Sequence, residues 1–328
     1  MALGLNKDTK RTLVKLLAAI ALIAVILGGF AACLFTVRSD NAATETTSGP
    51  ALQGSFKVDI GPTATPDGKP VAGTARTETW AARSTCRGTE CVATVSVVDP
   101  KNPSGPPALT MVFDYVDGDW LSVREAPDTC KVGDADVDVT GWSIISLRPR
   151  LDGSMSGEYT WATAPALCAS KRAVNLSPTS GAGTGTEAAD PAKEPPLRAS
   201  PGAALWGTYT YTQTYPATGE VFPPHDYRAT THCLRTGERC VTLMSTIDTN
   251  NLFVMQYGDR RFTASFPEGE AQCTDGIGKV RQSSRDELPL PQGPQNPIQT
   301  LTGKSFQDYT GDCPAQVELD VRIQRTGD

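Results

Sequence analysis

The chain is predicted to be mainly β, with two tandem antiparallel β-sandwich or barrel-like domains following one N-terminal transmembrane helix. Three observations carry this expectation. One long apolar run stands near the start; eight later cysteines fall into two sets of four with the same rhythm; strand signals dominate everywhere else.

From Leu16 to Val37 no residue carries a charge, and the run is rich in Ala, Leu and Ile. About 20 such residues cross a bilayer core as a helix. Lys7, Lys10, Arg11 and Lys15 precede the run, so the positive-inside bias places the N-terminus in the cytoplasm and the bulk outside. Residues 1–11 then form a cytoplasmic stub, 12–37 a transmembrane signal-anchor and 38–50 a stalk rich in Thr, Ser and Ala. A cleaved signal peptide has a shorter apolar region. Phe30-Ala31-Ala32-Cys33 loosely resembles a lipobox, which makes Cys33 a candidate for lipidation; acylation there would leave the topology unchanged.

The net charge of −6 divides unevenly, because the basic start is offset by an acidic remainder. An acidic exterior repels nucleic acid and anionic headgroups, so neither is expected as a partner.

The exterior cysteines are Cys86, Cys91, Cys130 and Cys168, then Cys233, Cys240, Cys273 and Cys313. An even count in an oxidising compartment reads as a disulfide framework. Other anchors repeat in the same order. Gly54-Ser55-Phe56 faces Gly207-Thr208-Tyr209, Trp80 faces Tyr227, Trp120 faces Phe262, and Gly157 faces Gly303. So many ordered matches indicate an internal duplication, copy 1 in residues 51–175 and copy 2 in 204–328. Residues 176–203 are rich in Ser, Gly, Ala, Pro and Glu, read as a flexible linker, and predict semi-independent copies.

Four cysteines allow three connectivities per copy. The favoured pairing is Cys86–Cys91 with Cys130–Cys168, and Cys233–Cys240 with Cys273–Cys313. Each short interval would cross a hairpin, and each long one would close a loop of about 40 residues, worth roughly 3–4 kcal/mol in the chain-entropy account. Zinc sites favour Cys-x-x-Cys or Cys/His clusters, and copy 1 has no histidine, so no metal is expected.

Strand signals follow in order. Thr94-Val95-Ser96-Val97-Val98 alternates in polarity, and Met111–Tyr115 and Trp120–Val123 flank Asp117-Gly118, which supplies the positive φ of a tight hairpin. Gly207 to Tyr215 alternates Thr with Tyr, and no window beyond the anchor shows a helical period. Six to eight strands per copy are expected.

A basic start, one membrane helix and an exterior carrying Trp80…Ser84-Thr85-Cys86…Cys91-Val92-Ala93 resemble actinobacterial, mycobacterial-type, single-pass membrane proteins of unknown function. The motif is also similar to the exterior modules of some mycobacterial serine/threonine kinases. That resemblance implies a sensing or accessory module. With only about 11 residues before the anchor, no kinase domain is expected.

Catalytic signals are sparse. His225 and His232 are the only histidines, and there is no Gly-x-Ser-x-Gly elbow, Walker loop or dinucleotide fingerprint. The chain is therefore expected to be non-enzymatic and cofactor-free, binding or sensing envelope proteins or cell-wall components. A structural or accessory subunit of a membrane complex is the alternative, followed by an envelope hydrolase or lipid-handling protein. Trp80 and Trp120 have aromatic counterparts and read as core. Trp142, Trp161, Arg235, Arg239, Arg260 and Arg261 remain as candidate binding surface.

Overall fold

A computed structural model describes residues 51–179, 187–247, 251–273 and 276–328. The stub, the anchor, the stalk, Cys33 and part of the linker lie outside the described residues. Within them, no helix is long and apolar enough to cross a membrane.

Copy 1 is a closed antiparallel barrel of eight strands in sequential order: β1 (Gly54–Ile60), β2 (Arg76–Arg87), β3 (Glu90–Val97), β4 (Leu109–Val116), β5 (Asp119–Val132), β6 (Ala135–Pro149), β7 (Met155–Ala164) and β8 (Ala169–Pro178). Closure comes from β1 pairing with β8, Val58 opposite Leu176. Copy 2 repeats the plan with β9 (Gly207–Tyr215), β11 (His225–Cys233), β12 (Cys240–Thr246), β13 (Leu252–Gly258), β14 (Arg261–Gln272), β15 (Lys279–Pro289), β16 (Thr300–Gly311) and β17 (Ala315–Gly327). Here β9 pairs with β17, and a two-residue strand, β10 (Glu220–Val221), is appended to β9. Between the sandwich and the barrel, the structure selects the barrel.

Local chemistry explains why strands end where they do. Asp117 and Gly118 both adopt positive φ in the β4–β5 turn, and Asp259 and Arg260 do the same between β13 and β14. Such turns match the right-handed twist of the strands they join. The favoured disulfides are the ones formed: Cys86–Cys91 joins β2 to β3 and Cys233–Cys240 joins β11 to β12, while Cys130–Cys168 and Cys273–Cys313 tie the β5–β6 and β14–β15 arms to the last hairpin of each barrel.

The repeated glycines mark a close approach of backbones. A Cβ on Gly157 would lie 1.7 Å from the Ser146 carbonyl oxygen, and one on Gly303 would lie 2.1 Å from that of Glu287. Each interior is mainly apolar. Phe56, Trp80, Phe113, Trp120 and Leu147 fill barrel 1; Tyr209, Met244, Met255, Phe262 and Leu288 fill barrel 2. Leu52 and Leu205, each two residues before the first strand, are completely buried at equivalent positions.

The two barrels are packed together, where semi-independent copies were expected. Trp142 and Ile144 on the outer face of β6, with Ala162 on β7, bury against Val241 of β12 and Val254 of β13. Arg239 is paired with Glu125, and Arg235 with Asp114, across the same seam. Trp142 is therefore corrected from outer binding surface to buried seam, while Arg235 and Arg239 reach across to barrel 1, Arg239 with its side chain still 47 % exposed. Trp142 is 0 % exposed because an apolar face of copy 2 covers it. The described part of the linker also lies against barrel 1, where Thr94 Oγ1 donates to the Ala189 carbonyl (2.5 Å) and Ser96 Oγ to that of Glu187 (3.4 Å).

Substitutions at these contacts have defined outcomes. Gly157→Ala and Gly303→Ala should each lower the free energy of urea unfolding by about 1–3 kcal/mol or more, whereas Gly269→Ala, with open space around it, should not. Trp142→Ala should cost about 3–5 kcal/mol and separate the unfolding of the two barrels in calorimetry; an unchanged single transition would contradict a cooperative seam.

Candidate functional site

A barrel of eight strands has an interior just wide enough to be filled by side chains or to hold one small ligand. The two copies differ in which of these they do. Barrel 1 keeps a cavity of about 250 Å³ at one mouth, walled by Ile60, Trp80, Val97, Met111, Ile145 and Val174. Arg76, Glu78, Ser122, Arg124, Ser143 and Tyr159 supply its polar groups.

Strand alternation places these groups. Trp120, Ser122 and Arg124 take every second position of β5, so all three belong to the interior face, while Leu121 and Val123 join the seam. Arg124 lies opposite Ser143 on β6, and Tyr159 on β7 lies opposite Ile145. The Ser143 and Tyr159 hydroxyls share a hydrogen bond of 3.3 Å. On the facing wall Arg76 Nε donates to Glu78 Oε1 at 2.7 Å, and Trp80 Nε1 donates to Glu78 Oε2 at 2.8 Å. Both oxygens of the Glu78 carboxylate are thus engaged. Arg124 has no carboxylate partner among the described residues.

Barrel 2 closes the equivalent space. The register of β14 with β15 puts Phe266 where barrel 1 has Arg124: each stands four positions beyond its core aromatic and opposite a serine. Phe266 stacks on Phe253 with ring centroids 5.0 Å apart, and Tyr211 and Tyr227 complete the cluster. Behind them Asp286 is fully buried and accepts a 2.8 Å hydrogen bond from the Tyr211 hydroxyl. Burial pushes the Asp286 carboxyl upward, with Ser305 and Tyr211 holding it partly back. The same desolvation raises Tyr211. His232 moves in the opposite sense, down to about 4, because burial disfavours its cation.

The other residues singled out from the sequence do not converge. Trp161 is partly exposed and donates from Nε1 to Asp128 at 3.1 Å. Arg260 and Arg261 border an open cleft of about 620 Å³ on barrel 2, where Glu287 lies 3.8 Å from Arg261 and Lys304 is bonded to Glu318 and Asp320. Its lysine and Arg261 are already answered by neighbouring acids. Neither histidine makes a side-chain hydrogen bond to a hydroxyl or carboxylate among the described residues, and no group of three or more His, Cys, Asp or Glu there is arranged to hold a metal. Sequence reasoning missed the barrel-1 mouth. Its signal was Arg124 itself, a charge at an inward position of an otherwise apolar alternation.

The buried acid makes a prediction about pH. In the unfolded chain this carboxyl ionises near pH 3.9, and in the folded chain it does so at higher pH. The folded state holds the proton more tightly, so this group's contribution is full in acid and is lost as pH rises above about 4. Asp286→Asn should flatten that decline in urea midpoints recorded between pH 4 and 8. A variant with the parent's slope would contradict the assignment.

Residues 49–195 match the family model of the PknI serine/threonine-protein kinase sensor domain, a range that covers barrel 1 and stops before barrel 2. The monomer form of the Mycobacterium tuberculosis PknI sensor domain is 23 % identical, with 44 % of this chain and 97 % of that chain covered and a TM-score of 0.35. Its dimer form is 22 % identical over 39 % of this chain and 85 % of that one, TM-score 0.31. A Nostoc punctiforme protein of unknown function from the DUF3598 family is 10 % identical over 84 % of this chain and 96 % of that one, TM-score 0.23. No curated protein matches. Barrel 1 is similar to a kinase sensor domain, in keeping with the resemblance read from Trp80 and the first cysteine pair.

Proposed function

We propose that the chain is a membrane-anchored, extracytoplasmic sensing module without catalytic activity, in which barrel 1 takes a small ligand at its mouth and barrel 2 is a solid companion fixed to its flank. The observation that carries this reading is the contrast between the copies: one interior keeps a 250 Å³ space beside the Arg124 guanidinium, which has no carboxylate partner among the described residues, and the other is plugged by stacked aromatics. The similarity of residues 49–195 to a kinase sensor domain supports sensing as the role. The apolar run ending at Val37 and the disulfides support the exterior location. Cell-wall components or envelope proteins supply the ligand, and with a cavity this small the recognised part is a fragment of such material.

The experiment is a thermal-shift comparison of the full chain with Val97→Trp, which fills the cavity, against small-molecule fractions of envelope extract. At a ligand excess of 100 times Kd the gain is about 2.7 kcal/mol, or roughly 5–10 °C for a domain of this size. A shift in the parent that Val97→Trp abolishes supports the reading. Equal shifts in both proteins, or none in either across all fractions, contradict it.

A further inference from the structure

Resting on that reading, we propose that the barrel-1 mouth selects a small amphiphilic acid, an apolar body carrying one anionic group, and that Arg124 is the residue that recognises the anion. The cavity's size and walls define the body. About 250 Å³ lies below the roughly 300–1,000 Å³ of pockets that take drug-sized ligands. Eight apolar side chains line it, including the indole of Trp80 at 2 % exposure and Met111 at 7 %. An apolar group of about ten heavy atoms displaces poorly satisfied water from such a surface, which is the favourable step.

Charge defines the head. Glu78 is spent on Arg76 and on the Trp80 indole, so it neither repels an incoming anion strongly nor recruits a cation. Arg124 is the cation left over at this mouth, and its guanidinium offers the planar fork that carboxylates and phosphates accept. The Ser143 and Tyr159 hydroxyls, already 3.3 Å apart, stand on the next two strands and can donate to the same anion. A neutral ligand would offer the Arg124 guanidinium no countercharge. A cation would meet Arg124 head on.

Barrel 2 is an internal control. Phe266 replaces Arg124, Phe253 replaces Met111, and Ser305 replaces Tyr159, so that copy has serine hydroxyls but neither the open space nor the guanidinium. One ligand per chain is the expected stoichiometry.

Equilibrium dialysis of the full chain in phospholipid nanodiscs, with empty nanodiscs subtracted, tests this using radiolabelled 4-phenylbutyrate and its uncharged analogue 4-phenylbutan-1-ol. The expected result is one 4-phenylbutyrate per chain, bound about tenfold or more tighter than the alcohol. Arg124→Gln should erase that difference by weakening the acid alone, Arg124→Lys should retain most of it, and Val97→Trp should abolish both. If the alcohol binds as tightly as the acid, or Arg124→Gln leaves the acid unaffected, the anion assignment is overturned while the pocket reading survives. If neither compound binds the parent, or two bind per chain, both readings fall.

Discussion

Closure of eight strands into a ring governs everything else in this molecule. Pairing of β1 with β8, and of β9 with β17, removes the free edges that an open sheet would expose. It also fixes an interior whose volume varies little. The chain accommodates the required curvature at Gly157 and Gly303, where a neighbouring carbonyl occupies the space a side chain would need. The disulfides then pin what closure leaves loose, the β2–β3 and β11–β12 tips at one end and the long β5–β6 and β14–β15 arms at the other.

With the frame fixed, a few substitutions decide what each interior is for. Core positions near the closed end keep their character: Trp120 and Phe262 are both fully buried, as are Leu147 and Leu288. Divergence is concentrated at the opposite mouth. Arg124 becomes Phe266 and Met111 becomes Phe253, which turns an open, charged rim into an aromatic plug. Ile145 becomes Asp286, a polar group that the barrel tolerates because Tyr211 donates to it, while burial shifts its carboxyl upward. The outer faces diverge as well. Trp142 and Ile144 of one copy meet Val241 and Val254 of the other, so two similar barrels use different flanks to form one seam.

Much of this was legible in the sequence because the signals were local. Asp117-Gly118 specified a hairpin through its backbone preference, and the short cysteine intervals specified cross-hairpin bridges. The duplication was readable because the anchors Trp80, Trp120 and Gly157 answer to constraints that closure imposes on both copies. The seam was not readable. A residue such as Trp142 looks like exposed surface until its covering partner, about 100 residues later, is placed against it. The run Trp142-Ser143-Ile144-Ile145 does hold a trace of it, since apolar residues on both faces of a strand indicate burial on both sides. The linker misled for a related reason. Its composition cannot build a core, yet its carbonyls bond to Thr94 and Ser96 regardless of which side chains flank them. The pocket depended on what the second copy lacks, and only the register of β14 against β15 brought Phe266 into the place of Arg124.

Two barrels of one plan thus differ in content, one hollow at its mouth and one filled. Xenon reports this difference directly, because it occupies apolar space of atomic size without needing hydrogen bonds. A crystal of the protein pressurised with xenon should show an atom bound among Trp80, Met111, Ile145 and Val174, and none among Tyr211, Tyr227, Phe253 and Phe266. Xenon inside barrel 2, or its absence from barrel 1, would contradict that division between the copies.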